Sequence, residues 1–246
     1  MFIIIEFSDS KMSLEYVSAL GWLDGLTASG IILSSVIFGL LSLYKAKKLG
    51  AKLLAIAALT MFFVGCLWLG PFVDFIMVLV FNTNISPTMY YSLLSYTNVV
   101  PALVFAMYLG GSLLLPKKKW IIVGIYIILG GIFEYFLWFQ NDLSFSYPAF
   151  SDGDLINAEF VRNYITFYFV VVFLVSALIF LGIGFAVKAK QSTGELRKKF
   201  LYLSLGFIIF VVCGALDSVV TLPVAIGVVR AVMMTFALWM YLGLKT

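Results

Sequence analysis

Asp24, Asp74, Glu134, Asp217 and Arg230 each interrupt a run of apolar residues. Glu134 is the plainest case, standing alone in "GIFEYFLWF". An unpaired carboxylate taken out of water is costly, so each of these groups must be paired, protonated or wetted by a cavity. Arginine suits the pairing role, because its planar fork can bridge two carboxylates. Ionisable residues inside membrane segments mark binding sites and ion pairs. The chemistry they offer is recognition of a polar ligand by charge and hydrogen bonds. Catalysis is poorly supplied. The chain has no histidine, the commonest general base and metal ligand near neutral pH. No metal-ligand spacing or nucleophile–base pair stands out, so no enzyme activity, metal or cofactor is expected. Cys66 and Cys213 both lie in apolar runs and read as small core residues.

The elements that must position these groups follow from composition. The chain of 246 residues is 63% hydrophobic and 11% charged, with a mean hydropathy of +1.10. Soluble domains carry about 25% charged residues. Windows long enough to cross a bilayer occur over Leu20–Tyr44, Leu53–Phe81, Tyr91–Leu115, Trp120–Phe139, Tyr164–Val187, Phe200–Val220 and Pro223–Leu244, as ~18 or more apolar residues in sequence predict. The expected fold is all-α: a single seven-helix transmembrane domain over residues 1–246, multi-pass in the cell membrane, with the lipid bilayer as its first partner. The opening "MFIIIEFSDSK" lacks the basic region and long apolar run of a signal peptide, so the first helix is expected to serve as its own insertion signal.

The basic residues predict orientation. Lys45, Lys47, Lys48 and Lys52 lie in the first connection, Lys117, Lys118 and Lys119 in the third, and Lys188, Lys190, Arg197, Lys198 and Lys199 in the fifth, with Lys245 after the last helix. All fall on one side of a seven-span topology. The other side holds Lys11 and Arg162 among the acids Glu6, Asp9, Glu15, Asp142, Asp152, Asp154 and Glu159. The positive-inside rule then puts the N-terminus outside and the C-terminus in the cytoplasm. The net charge of +4 is explained by these turns and by anionic headgroups, without nucleic acid. Trp22 and Trp138 near the outer boundary, and Trp120 and Trp239 near the inner one, match an interfacial aromatic belt.

Counting from the nearest lysine at ~1.5 Å per residue puts Glu134 and Arg230 ~22 Å deep, Asp217 ~27 Å, Asp24 ~32 Å and Asp74 ~33 Å. Against a hydrocarbon core of ~30 Å, all lie in the outer half. Inner-half runs such as "LAIAALTMFF" and "LIFLGIGFAV" contain no charge. Helix 3 adds Tyr96 and Asn98 in "SYTN" just before Pro101. The expected ligand-binding set is Glu134, Arg230, Asp217, Asp74, Asn98, Tyr96 and Asp24. A tight turn at Thr221–Pro223 gives Asp217 and Arg230 nearly equal depth in a hairpin, so these two are expected to pair. Glu134, at the depth of Arg230, is expected either as its second partner or as a free acid in the pocket.

Smaller signals accompany these. Glycine precedes an acid on the even helices, as Gly70 and Asp74, Gly131 and Glu134, Gly214 and Asp217, a pattern that fits an internal repeat or small residues for close packing. Ser192–Glu195, "STGE", matches a capping box that opens helix 6. Asn84-Ile85-Ser86 matches a glycosylation acceptor, followed by Pro87. Residues 140–160 form a long acidic outer segment of the kind that often carries function.

Several seven-helix families are excluded by missing residues. The last helix, "PVAIGVVRAVMMTFALWMYLGL", has no lysine for a retinal Schiff base. There is no DRY-type or NPxxY-type stretch, no Pro-Gln pair and no GxGD motif. Two stretches, "LYKAKKLGAKLLAIAALTMFFVGCLWLG" and "ELRKKFLYLSLGFIIFVVCGALD", resemble the N-terminal seven-helix sensory modules of prokaryotic histidine kinases. The likeness is a basic turn feeding an apolar helix with a tryptophan, and an Arg/Lys cluster opening helix 6. The kinase domain of that family has no counterpart in these residues. The long apolar runs also resemble archaeal multi-pass membrane proteins. The outward-facing polar pocket and the basic inner face lead to the expectation of a receptor-like sensory module that binds a small polar ligand from outside and signals through a cytoplasmic protein partner. The alternatives are a small-solute transporter and a ligand-free structural or assembly subunit of a membrane complex.

Overall fold

In lipid every backbone polar group must be satisfied within the chain, and a helix does so segment by segment. The computed structural model, which describes residues 16–220 and 222–245, follows this rule. Glu6, Asp9, Lys11, Glu15 and Thr221 lie outside the described residues. Among the described residues seven helices are long and apolar enough to span a membrane: α1 (Ala19–Leu49), α2 (Lys52–Phe81), α3 (Met89–Leu114), α4 (Lys119–Phe139), α5 (Ile165–Lys190), α6 (Gly194–Asp217) and α7 (Ala225–Leu244). The chain is a multi-pass membrane protein built as a helix bundle. Large apolar side chains such as Trp120, Ile121 and Ile128 cover its outward faces.

The helices form a closed ring in chain order, with α1 against both α2 and α7, and α3 also meeting α5. α4 packs on α3 and α5 at the edge of the ring. Lysine-rich turns gather at one end of the bundle; the lysine-poor end carries the longer connections. Near the lysine-rich end the packing is close. A Cβ on Gly206 would press on Met240 and on the Phe236 carbonyl, and one on Gly243 would meet Leu203 and the Lys199 carbonyl.

Four helices are interrupted. α2 tightens into a 3₁₀ turn at Cys66–Trp68, because Pro71 has no N–H and its ring crowds the carbonyl four residues back. Side chains of α3 repair this break: Ser95 Oγ accepts from Gly70 N at 2.9 Å, and Asn98 Nδ2 reaches the Cys66 carbonyl at 3.3 Å. α3 itself breaks at Thr97 and Asn98, one turn before Pro101, for the same reason. α5 widens to a π-helix over Leu178–Ile183, and Ser204 Oγ of α6 donates to the Gly182 carbonyl at 2.7 Å. α7 is interrupted at Met234 and Thr235. Helix 6 begins where the "STGE" run predicts, but no side chain caps it. Ser192 Oγ instead donates to the Lys188 carbonyl.

A folded segment, residues 140–164, closes over the lysine-poor end. Two short strands, β1 (Phe145–Ser146) and β2 (Glu159–Phe160), pair antiparallel with Phe145 opposite Phe160. Ser92 of α3, Asn141 and Tyr147 form a triangle of hydrogen bonds of 2.7–2.8 Å that fixes the segment to α3. Burial raises the Tyr147 phenol above its ordinary range, against the opposing pull of Ser92 and Asn141, so it remains a donor.

Candidate functional site

Asp217 ends α6, and Arg230 lies one turn into α7 beyond the hairpin. Arg230 Nε donates to Asp217 Oδ1 at 2.7 Å, as the hairpin depth predicts. The second partner of the guanidinium is Asp24 of α1, whose Oδ1 accepts from Nη1 at 2.9 Å. Glu134 is not that partner. It sits on α4, at the edge of the ring, while Arg230 faces α1 and α6. Depth alone suggested Glu134; the azimuth of its helix overrules it. Trp138 Nε1 donates to Glu134 Oε2 at 2.9 Å, and Oε1 has no hydrogen-bond partner among the described residues.

Asp74 is fully buried and serves the connections. Its Oδ1 accepts from Ile85 N at 2.8 Å; its Oδ2 accepts from Ile156 N at 2.8 Å and from Asn84 Nδ2 at 3.0 Å. Asn84 Nδ2 also reaches the Asp154 carbonyl at 2.9 Å. The amide nitrogen of the glycosylation motif is therefore a structural donor. Ser18, the N-cap of α1, accepts from Gly21 N at 2.9 Å and donates through Oγ to Asp154, while Ser18 N bonds the Gly153 carbonyl at 3.0 Å. Gly153 holds φ of +83°, a conformation that favours glycine. One carboxylate thus ties two of the three lysine-poor connections to the bundle.

A cavity of about 250 Å³ runs down the axis from that end, slightly under the ~300–1,000 Å³ usual for ligand pockets. Its mouth is flanked by Asn157, Glu159 and Arg162, and Tyr91, Tyr96, Asp217 and Arg230 follow. Tyr96 is held by Phe145 and Phe160 of the strand pair, with ring centroids 5.0 Å and 4.7 Å away. Deeper, the wall is Trp68, Leu103, Phe173, Phe207 and Phe210, and the floor includes Thr60, Ala106 and Leu181. Thr60 Oγ1 is returned to its own helix at the Ile56 carbonyl, so the depth offers almost no polar atoms. The cavity extends past the outer half expected from the charges, but its extension is apolar. Leu67 and Trp68 of the 3₁₀ turn and Leu181 of the π-helix line it, so two of the interruptions shape the wall. π-bulges recur at functional sites.

Of the expected ligand set, Arg230, Asp217 and Tyr96 line this cavity. Asp24 reaches it only through Arg230. Asp74 and Asn98 do not line it. Asn98 Nδ2 bonds the Leu94 carbonyl at 2.8 Å and, with Trp138, borders a separate groove between α2 and α3. Glu134 borders neither. Trp68, Phe173, Phe207 and Phe210 were missed, because an apolar residue lining a cavity reads like any lipid-facing or core residue. Pro71, three residues after Trp68, was the one available signal. The glycine–acid repeat has no common role: Gly70 meets the Tyr91 carbonyl, whereas a Cβ on Gly131 or Gly214 meets nothing within 4 Å.

No family model, no curated protein and no solved structure matches the chain. Among the described residues no group of histidine, cysteine, aspartate or glutamate could hold a metal ion.

Proposed function

We propose that the chain is a receptor-like sensory module of the cell membrane. In this reading the N-terminus is outside, the C-terminus is cytoplasmic, a ligand enters from outside, and its occupancy is relayed to a protein partner at the basic face. The single observation that carries the reading is the axial cavity, polar at its mouth and apolar at its floor. The lysine asymmetry supports the orientation, and the resemblance to kinase sensory modules supports the sensory role.

A ligand in the cavity would touch the interrupted parts of α2 and α5 together with the α6–α7 hairpin. Interrupted helices can take two arrangements of similar energy, and a ligand that favours one shifts the population toward it. The transporter reading needs access from both faces, and the apolar floor offers a charged solute no path. The test places one cysteine at Val99, a lining residue, in a Cys66→Ser/Cys213→Ser background, with a membrane-impermeant maleimide added to either side of oriented vesicles. Labelling from the lysine-poor side alone is expected. Labelling from both sides favours the transporter, and labelling from neither favours a packing subunit.

A further inference from the structure

The electrostatics of the cavity mouth are unequal. Two carboxylates, Asp24 and Asp217, hold one guanidinium. With all three ionised, the cluster carries one excess negative charge. α6 ends at Asp217 and the next helix begins at Pro223, so the opposite dipole ends meeting at the hairpin offset each other and the excess charge is that of the carboxylates. At the rim, Glu159 and Arg162 offset each other. Tyr91, Tyr96 and Phe160 also line this region. Below lie apolar and aromatic walls, with the Thr60 hydroxyl bonded back to its own helix. From Asp217 down α6 to Phe207, both lining residues, the cavity spans ~15 Å at the helical rise.

We infer that the cavity takes a cationic single-chain amphiphile, its ammonium head beside Asp217 and its alkyl or aromatic tail between Trp68, Phe173 and Phe207. This rests on the reading of the cavity as a ligand site and adds the class of ligand. An anionic head of the same length meets the excess carboxylate and binds more weakly. A small ion without a tail leaves the apolar depth unfilled and gains none of the burial, worth ~0.8 kcal/mol per methylene. The head chemistry is shared by water-borne amines and by single-chain choline lipids.

The test measures thermal unfolding of the full chain in nanodiscs with decylamine, decyltrimethylammonium, decanoate or tetramethylammonium, and with a single-chain choline lipid in the disc. Binding to the native state raises the midpoint by mass action. Both decyl cations are expected to bind at least tenfold more tightly than decanoate, and tetramethylammonium to give no shift. A shift with the choline lipid assigns a membrane-resident source; its absence assigns a water-borne amine. Gly214 lines the cavity and has open space at its Cβ, so Gly214→Leu should fill the cavity and abolish the shift. Asp24 does not line the cavity, so Asp24→Asn tests charge without touching the ligand, and it should bring decylamine and decanoate close to equal affinity. If decanoate binds as tightly as decylamine to the unaltered chain, the charge assignment is overturned. A shift that survives Gly214→Leu comes from the bilayer and overturns the site. If no amphiphile shifts the midpoint while Val99→Cys remains reachable from one side, the amphiphile class is wrong and the receptor reading stands.

Discussion

Asp74→Ala tests how the connections are held over the cavity. The carboxylate accepts from two main-chain amides, Ile85 and Ile156, each at 2.8 Å, and from Asn84 at 3.0 Å. Both isoleucines are buried, so truncation strands two N–H groups away from water. A stranded buried donor costs ~1–3 kcal/mol, which makes the expected loss roughly 2–6 kcal/mol. The lower half of that range is favoured if residues 150–157 lift and admit water. In Asp74→Asn one oxygen can still accept, but the new amide donors face donors, and a smaller loss is expected. Thermal unfolding in nanodiscs gives the magnitude, and hydrogen exchange by mass spectrometry locates it. Exchange should quicken at Ile85 and Ile156 and stay unchanged in the packed lysine-rich half, around Met107 and Phe207. A loss below about 1 kcal/mol with unchanged protection at both amides would refute the anchoring role.

Arg230→Ala leaves Asp24 and Asp217 without their cation and should cost roughly 3–5 kcal/mol, whereas Arg230→Met with Asp24→Asn and Asp217→Asn should recover most of it; equal stability of the single and triple variants would contradict the pairing. Glu134→Gln should cost no more than about 1 kcal/mol, since it weakens one half-exposed bond to Trp138, and a loss as large as that of Arg230→Ala would restore Glu134 to the cluster. Gly70→Ala drives a methyl into the Tyr91 carbonyl and should destabilise by ~1–3 kcal/mol, while Gly131→Ala, facing open space, should be neutral or slightly stabilising in the same melts. In sealed cells a cysteine at Ser151 should react with an impermeant reagent and one at Lys118 only after permeabilisation, and the reverse pattern would invert the proposed orientation.

Hydropathy and lysine spacing made the seven spans legible, because lipid demands long apolar helices whatever their neighbours. The Arg230–Asp217 pair was legible too. Two residues flanking one tight hairpin have their relative depth set by the chain between them. The same depth reasoning failed for Glu134, because depth does not fix which face a helix turns or where it stands in the ring. Asn98 and Asp74 look like ligand groups in sequence. Their partners are backbone atoms at the breaks in α2 and α3 and in the connections, with the Asn84 side chain beside them, and those atoms are visible only when the breaks and the loops are in place.

Composition and spacing by themselves determined that this chain is a seven-helix membrane protein with its lysines at one end and its intramembrane charges toward the other. Those are properties of each segment and its solvent, and every segment carries them alone. The tertiary structure decided which acids share Arg230, that Asp74 anchors the connections, and that Trp68, Phe173, Phe207 and Phe210 enclose a cavity. Each of those depends on the rotation of one helix against another, which is set by close packing at positions such as Gly70 and Gly206 and leaves no periodic mark in an almost uniformly apolar sequence.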